Sequence, residues 1–470
     1  MTSFRNSAGH RPSRRAVVLA ASLVTATAVA SAIAGDRRPT LPVQPSVFPP
    51  QYFAVLPFRE TPFAPLIGAH RITADEARSR NHFRFEYDSQ GRPVRVAFML
   101  GDHVRDLNDT ANYYFFTPVV EIHYGPGTET RTFFDRNGNR INADGDVFRE
   151  EYLLDERGYR RTLRFFDAED KPSTNSWDVS RYQWTIQEDG AVVEERYDPE
   201  GKPVELRPGV PFYRVRFRYG AAGWLAVMQN IGPDGELKMN ALNAAQDRLE
   251  YTADGDLLSW NVLDDTGALS SGNGPGVARG ILEKNEHGYD VSERYENEKG
   301  EAVPSAYGWS FDRTRYDDFG NYAERANHTL DGSTLLLSDE RGYAGYRYEY
   351  DSTGLDRTLL AFFDEDRQPV ERKGYGYEQI RFEYDGRGNR TRVRFENSNG
   401  VLVDRSDNGV AVIEHDYDAK GRRIETRHRN RSGELVSDRK TGVAIEKLEY
   451  GPHGIPRSVR RFNAQAEPVE

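Results

Sequence analysis

A chain of 470 residues with no cysteine and a formal charge of −11 excludes disulfide staples, thiol nucleophiles and thiolate metal sites, and disfavours nucleic acid and anionic lipid as bulk partners. Aromatic side chains reach 12% against a hydrophobic total of 37%, a balance that suits sheets with Tyr and Phe on one face and charges on the other.

The N-terminal stretch predicts export. Arg11, Arg14 and Arg15 precede a nineteen-residue apolar run, Ala16 to Ala34, which ends in the small-x-small site Ala32-Ile33-Ala34. Residues 1–34 contain four arginines and no acid, so cleavage after Ala34 takes the formal charge from −11 to −15. Ser13-Arg14-Arg15-Ala16-Val17-Val18 approximates a twin-arginine signal, with valines in place of the usual Phe-Leu pair. An uncleaved anchor at residues 16–34 is the alternative, because nineteen residues just reach across a bilayer core, although Ala, Ser and Thr make a weak span. Either reading places the remainder in the periplasm or outside the cell. Residues 35–80 then read as a Pro-rich linker, with eight prolines between Pro39 and Pro65.

Residues 81–470 form one tandem repeat domain with a period of about 33 residues. Its first turn recurs as Tyr87-Asp88…Gly91, Leu154-Asp155…Gly158, Tyr219…Gly223, Tyr251…Gly255, Tyr316-Asp317…Gly320, Tyr350-Asp351…Gly354, Tyr384-Asp385…Gly388, Tyr417-Asp418…Gly421 and Tyr450…Gly454. From Tyr316 onward the intervals are 34, 34, 33 and 33. A unit of this size hides its apolar face only by stacking on its neighbours.

The clearest unit begins at Glu378. Ile380, Phe382 and Tyr384 alternate with Arg381 and Glu383, Asp385-Gly386-Arg387-Gly388 reverses the chain, and Thr391, Val393 and Phe395 form the inward face of the return strand. A second reversal at Asn397-Ser398-Asn399-Gly400 leads to the short run Val401-Leu402-Val403, and Gly409-Val410-Ala411 opens the next cassette. The predicted fold is all-β: an elongated array or spiral of β-hairpin repeats, stacked as a solenoid-like sheet or open shell. Ankyrin repeats share the period, but they need helical spacing where these residues alternate.

In Phe382-Glu383-Tyr384-Asp385-Gly386-Arg387-Gly388-Asn389 and Tyr348-Glu349-Tyr350-Asp351-Ser352-Thr353-Gly354 the sequence resembles bacterial YD-repeat proteins, the group that includes the RHS shells. The resemblance implies an extracytoplasmic β-rich shell or spiral used for containment or binding. The closing Asp-Pro-x-x-Gly-Arg core of those shells is matched only as Asp198-Pro199-Glu200-Gly201 with Lys202, in mid-chain.

No catalytic, cofactor or metal motif stands out. There is no His-Glu-x-x-His, the histidines are scattered, and Asn142-Ala143-Asp144-Gly145-Asp146 lacks the sixth-position Gly of an EF-hand. The Arg422, Arg423, Arg427, Arg429 and Arg431 cluster lies near Glu425, Glu434 and Asp438 and reads as a solvated face. Trp260 and Trp309, in the more irregular middle, are the candidate ligand-binding residues, since indole rings stack on sugars.

The expected function is a non-catalytic exported scaffold binding an envelope or extracellular protein or glycan. The alternatives are a carbohydrate or cell-wall binding module, and a hydrolase whose site would be a deep acidic pocket in 224–310. Self-association through an open C-terminal strand edge is a further expectation.

Overall fold

The computed structural model describes residues 48–107, 117–451 and 454–469. The leader, its cleavage site and the anchor alternative lie outside the described residues, as does the linker before residue 48. No described helix is long and apolar enough to cross a membrane.

The chain opens with β1 (Gln51–Val55), β2 (Ala69–Ile72) and a capped helical turn, α1 (Ala74–Ala77). Hairpins follow: β3 (Asn81–Tyr87) with β4 (Pro93–Leu100), onto which the short β5 (His103–Val104) folds back, β6 (Val119–Gly125) with β7 (Thr128–Phe134), β8 (Arg149–Leu154) with β9 (Arg160–Phe166), and β10 (Arg181–Ile186) with β11 (Val192–Tyr197). The middle holds β12 (Arg214–Tyr219) with β13 (Leu225–Asn230), β14 (Gln246–Tyr251) with β15 (Leu257–Leu263), and β16 (Arg279–Lys284) with β17 (Asp290–Glu296). Then come β18 (Phe311–Tyr316) with β19 (Tyr322–His328), β20 (Gly345–Tyr350) with β21 (Arg357–Phe363), and β22 (Gln379–Tyr384) with β23 (Arg390–Glu396). The last are β24 (Val412–Tyr417) with β25 (Arg423–Arg429), β26 (Ile445–Tyr450) with β27 (Pro456–Phe462), and the edge piece β28 (Pro468–Val469). Neighbours pair antiparallel in one 28-stranded sheet, with β1 between β2 and β3. The segment 224–310, expected to be irregular, carries the same hairpins as the rest.

The β22–β23 unit shows why the sequence folds this way. Ile380, Phe382, Val393 and Phe395 are buried while Arg381 is exposed, so period-two alternation sets the face. At the turn, Asp385 Oδ1 accepts from the backbone N–H groups of Arg387 and Asn389, both at 2.9 Å, and Gly388 takes φ +77°. Tyr384 sits where the register shifts by one residue, a bulge repeated at Tyr87, Tyr316, Tyr350, Tyr417 and Tyr450. The second turn repeats the chemistry with Asn397. The short third strand shrinks to a single bridge between Glu396 and Leu402, with Val401 exposed to solvent. The Gly-Val-Ala step buries Val410 and Ala411, whose backbone links Phe395 of its own unit to Arg429 of the next.

Two large hydrophobic cores result, with a small third cluster of Ala97, Met99, Val104 and Val119. One fills the N-terminal half around Phe83, Phe85, Tyr152, Trp184 and Phe217, and the other lies around Tyr346, Phe362, Ile380 and Phe395. Trp260 packs against both.

The sheet curls rather than running straight. Asn81 N–H donates to Phe319 O at 2.8 Å, Arg105 reaches Asn321 and Leu355, and Asn139 Nδ2 donates to Lys420 O at 3.0 Å, contacts between residues 216 to 281 positions apart. Early hairpin turns thus meet turns one coil later, while the strands themselves do not close into a barrel. The repeated bulges supply the cause, since each adds local right-handed twist.

Part of the expected linker belongs to the fold. Residues 51–55 and 69–72 are strands, and between them Leu56, Arg59, Glu60, Thr61 and Leu66 are buried. The apolar residues interleaved with the prolines explain this departure from a solvated spacer: Phe53, Leu56, Phe58, Phe63 and Leu66 all join the N-terminal core.

Candidate functional site

Residues 56–68 form a strap that crosses the inner face of the sheet. Arg160, at the start of β9, donates from Nη1 to the backbone oxygens of Pro62, Phe63 and Ala64 at 2.9–3.0 Å, and from Nη2 to both carboxylate oxygens of Glu129. Thr61 Oγ1 donates to Glu194, which also accepts from Trp184 Nε1 at 2.8 Å and pairs with Arg196 at 2.6 Å. Beyond it, Glu60 pairs with Arg207 at 2.6 Å, and His70 Nε2 lies 2.8 Å from Asp256. Charges this deep are tolerated because opposite charges and hydrogen-bond donors meet them. Burial alone would raise Glu129, yet Arg131 and Arg160 hold it down at about 2. For Glu194 burial prevails over Arg196, and its carboxyl sits above the ordinary range.

A second feature lies on the seam between coils. Three successive repeat tyrosines, Tyr350, Tyr384 and Tyr417, line a cavity of about 270 Å³ with Asp356, Arg357 and Arg390 from the later coil and Arg105, Asp106, Asp135 and Arg136 from the earlier one. Arg105 is buried and donates to Asn81 Oδ1 at 2.5 Å, Asn321 Oδ1 at 2.6 Å and Leu355 O at 3.2 Å. Arg136 stands 3.7 Å from Asp106 and 3.9 Å from Asp356, loose for an ion pair. Asp135 is committed to its own turn, accepting from the N–H groups of Asn137 and Asn139. Arg390 Nε is buried without a hydrogen-bond partner among the described residues, and burial lowers the guanidinium's pKa. The Tyr384 phenol is held well above its ordinary value by burial and by the nearby Asp356.

The repeat tyrosines also clasp neighbouring units. Tyr417 Oη donates to Arg390 O at 2.8 Å, Tyr450 Oη to Arg423 O at 2.7 Å and Tyr316 Oη to Asp290 O at 2.9 Å. Each reaches the first residue of the preceding unit's return strand, so the Tyr-Asp pair makes the turn with one residue and the stack with the other.

No family model and no curated protein matches the chain. Among solved structures it is similar to TcdB2-TccC3-TEV, with 13% identity, 83% of this chain and 22% of that chain covered, and a TM-score of 0.29. It is similar to TcdB2-TccC3, with 12% identity, 89% and 26% covered, and a TM-score of 0.27. The Photorhabdus luminescens Tc holotoxin pore gives 12% identity, 83% and 22% covered, and a TM-score of 0.28. The chain therefore spans about a quarter of the length of these structures.

The two tryptophans expected to bind ligand pack against the hydrophobic cores. Trp309 is 5% exposed, with the guanidinium groups of Arg325 and Arg341 at 5.0 and 4.5 Å from its ring. Trp260 is half-buried across Gly280, where an added Cβ would stand 2.2 Å from the indole, and it packs on Tyr295. Neither lines the seam cavity, which sequence reading missed because its two walls are 213 to 316 positions apart in the chain. Within 224–310, Asp247 is raised to about 7 by burial, with Asn273 Nδ2 donating to its carboxylate, and Glu293 is raised to about 7 by burial beside Asp312 despite Arg325. Among the described residues, no group of three or more His, Asp or Glu is arranged to hold a metal.

The arginine cluster near the C-terminus is matched by acids. Arg422 pairs with Asp418, Arg423 with Glu446, Arg427 with Asp416 and Glu425, Arg429 with Glu414 and Arg431 with Asp404. Such a ladder presents alternating charge rather than a positive field.

Proposed function

We propose that the chain is an exported, non-catalytic hairpin scaffold that holds a protein or glycan partner of the cell envelope or extracellular space on its coiled surface. The observation that carries this reading is that one set of polar roles recurs at unit after unit: Asp or Asn makes the turn, Tyr clasps the neighbour, and Arg with Glu forms the outer ladder. Repetition of this kind spends side chains on rigidity and curvature, which suits presentation of a surface. Export rests on residues 1–34, with their basic start, apolar run and Ala32-Ile33-Ala34 site.

The reading also includes pairing of copies through the outer edge of β27, whose described contacts with β28 involve only Arg461 and Phe462. Light scattering of the exported form over a hundredfold concentration range should show mass rising with concentration, and a constant monomer mass would remove this part.

The test of the main reading is fractionation of bacteria expressing the full tagged chain, followed by cross-linking on intact cells. The reading predicts protein outside the cytoplasm, retention inside on substituting Arg14→Lys with Arg15→Lys, and one envelope component attached in stoichiometric yield. Cytoplasmic residence of the unaltered chain, or an exported form that cross-links to nothing, contradicts it.

A further inference from the structure

We infer that the seam cavity is a binding site for a small hydroxylated monocarboxylate, of the acidic-sugar class, which pins one coil of the sheet to the next. The inference does not depend on which partner the outer surface holds.

The chemistry of the walls argues for this ligand. Four guanidinium groups, those of Arg105, Arg136, Arg357 and Arg390, face three carboxylates, so the cavity carries a surplus of one positive charge. Of the acids, Asp135 is consumed by its turn, and Asp106 and Asp356 stand 3.7 and 3.9 Å from Arg136. Arg105 donates from Nη1 and Nη2 to amide and backbone oxygens, while its Nε is enclosed without a partner among the described residues. Arg390 Nε, on the opposite coil, is likewise enclosed and without a partner among the described residues. An enclosed guanidinium with unmet hydrogen-bonding capacity is costly, and a planar carboxylate meets it with a bidentate pair.

Shape and the remaining polar groups narrow the class. A volume of about 270 Å³ falls at the small end of ligand sites, which suits one sugar ring rather than an oligosaccharide. The tyrosine rings offer apolar walls, and Asp106 and Asn389 offer acceptors for hydroxyl groups. The carboxylates of the walls disfavour a dianion such as phosphate, because the second negative charge would face Asp106 and Asp356. The walls come from both coils, so an occupant bonded to Arg105 or Arg136 on one side and Arg390 on the other bridges segments far apart in sequence. Binding to the folded form then stabilises the coil by mass action.

The experiment is calorimetric titration of the full chain with sodium glucuronate, with glucose and inorganic phosphate as comparison arms, alongside hydrogen exchange. Glucuronate is expected to bind at one site, to raise the melting temperature and to slow exchange at 105–107 and 384–390. Glucose and phosphate are expected to bind at least about tenfold more weakly, and Arg390→Gln is expected to lower glucuronate affinity by at least about tenfold with an unchanged circular dichroism spectrum. If Arg390→Gln does not fold, Arg390→Lys, which keeps the charge but cannot make the bidentate pair, serves instead, with an expected loss of about fivefold. No glucuronate binding, equal or tighter binding of phosphate or glucose, or undiminished affinity in the folded variant would overturn the assignment.

Discussion

Each residue of the Tyr-Asp pair answers a different question. The aspartate closes its own hairpin, as in Asp385 with Arg387 and Asn389, whereas the tyrosine ties that hairpin to the one before it. Periodicity in the sequence places these tyrosines on the apolar face, but only the structure reveals that their hydroxyl groups have a backbone target some 26 to 31 residues away. Replacing Tyr417 by Phe should cost about 1 kcal/mol, the worth of one such hydrogen bond, and chemical denaturation of the variant beside Tyr159→Phe, an exposed tyrosine, measures it. Equal effects of the two substitutions would show that the clasp carries nothing.

Buried carboxyls give the residue scale its pH dependence. Asp247 has a folded pKa raised to about 7, so the folded state holds a proton that the unfolded chain releases near the ordinary carboxylate value of 3.8. Its contribution therefore declines as pH rises from about 4 to about 7 and levels off above that. Asp247→Asn should flatten that decline and raise the melting temperature at pH 8 relative to the parent, whereas a parallel pair of melting curves across pH would contradict it. Glu129 has the opposite sign: held at about 2, its stabilisation is present above pH 4.5 and is lost as pH falls toward 2.

Among the elements, the strap is the least legible in the sequence. Eight prolines between Pro39 and Pro65 read as a spacer, and the apolar residues between them are too irregular to register as a strand pattern. Their role emerges only once Arg160, Glu194 and Arg207 are brought beside them from about 96 to 147 residues away. The hairpins, by contrast, announce themselves: alternation, Asp turns and positive-φ glycines are local, and the structure places β22 and β23 where the sequence predicts them. The short run Val401-Leu402-Val403 contributes only the Glu396–Leu402 bridge, with Val401 59% exposed. Arg160→Met removes the three strap contacts and leaves Glu129 with one partner, a loss on the order of 3 kcal/mol. Trypsin cleavage after Arg59, slow in the parent because that residue is buried, should accelerate in the variant while the far-ultraviolet spectrum stays that of a sheet. Unchanged resistance would mean that the strap is held by its apolar residues alone.

For the whole molecule, the repeat period fixes the architecture but not the curvature. A stack of 33-residue units is compatible with a straight array or a coil, and the difference lies in the accumulated twist of bulged hairpins, which leaves no mark on any one unit. The seam and its cavity follow from that curvature, which is why Arg105, Arg136 and Arg390 escaped sequence reading while Trp260 and Trp309, conspicuous by residue type, turned out to be packed. Coiling is therefore the claim on which the strap, the seam and the scaffold reading rest. Because the chain has no cysteine, it can be tested by substituting Asn139→Cys with Lys420→Cys, whose side chain and backbone meet across the seam, and treating dilute protein with a short bifunctional thiol cross-linker. A coiled sheet predicts a fast intramolecular cross-link between these positions 281 residues apart, and either no cross-link or only intermolecular products would contradict it.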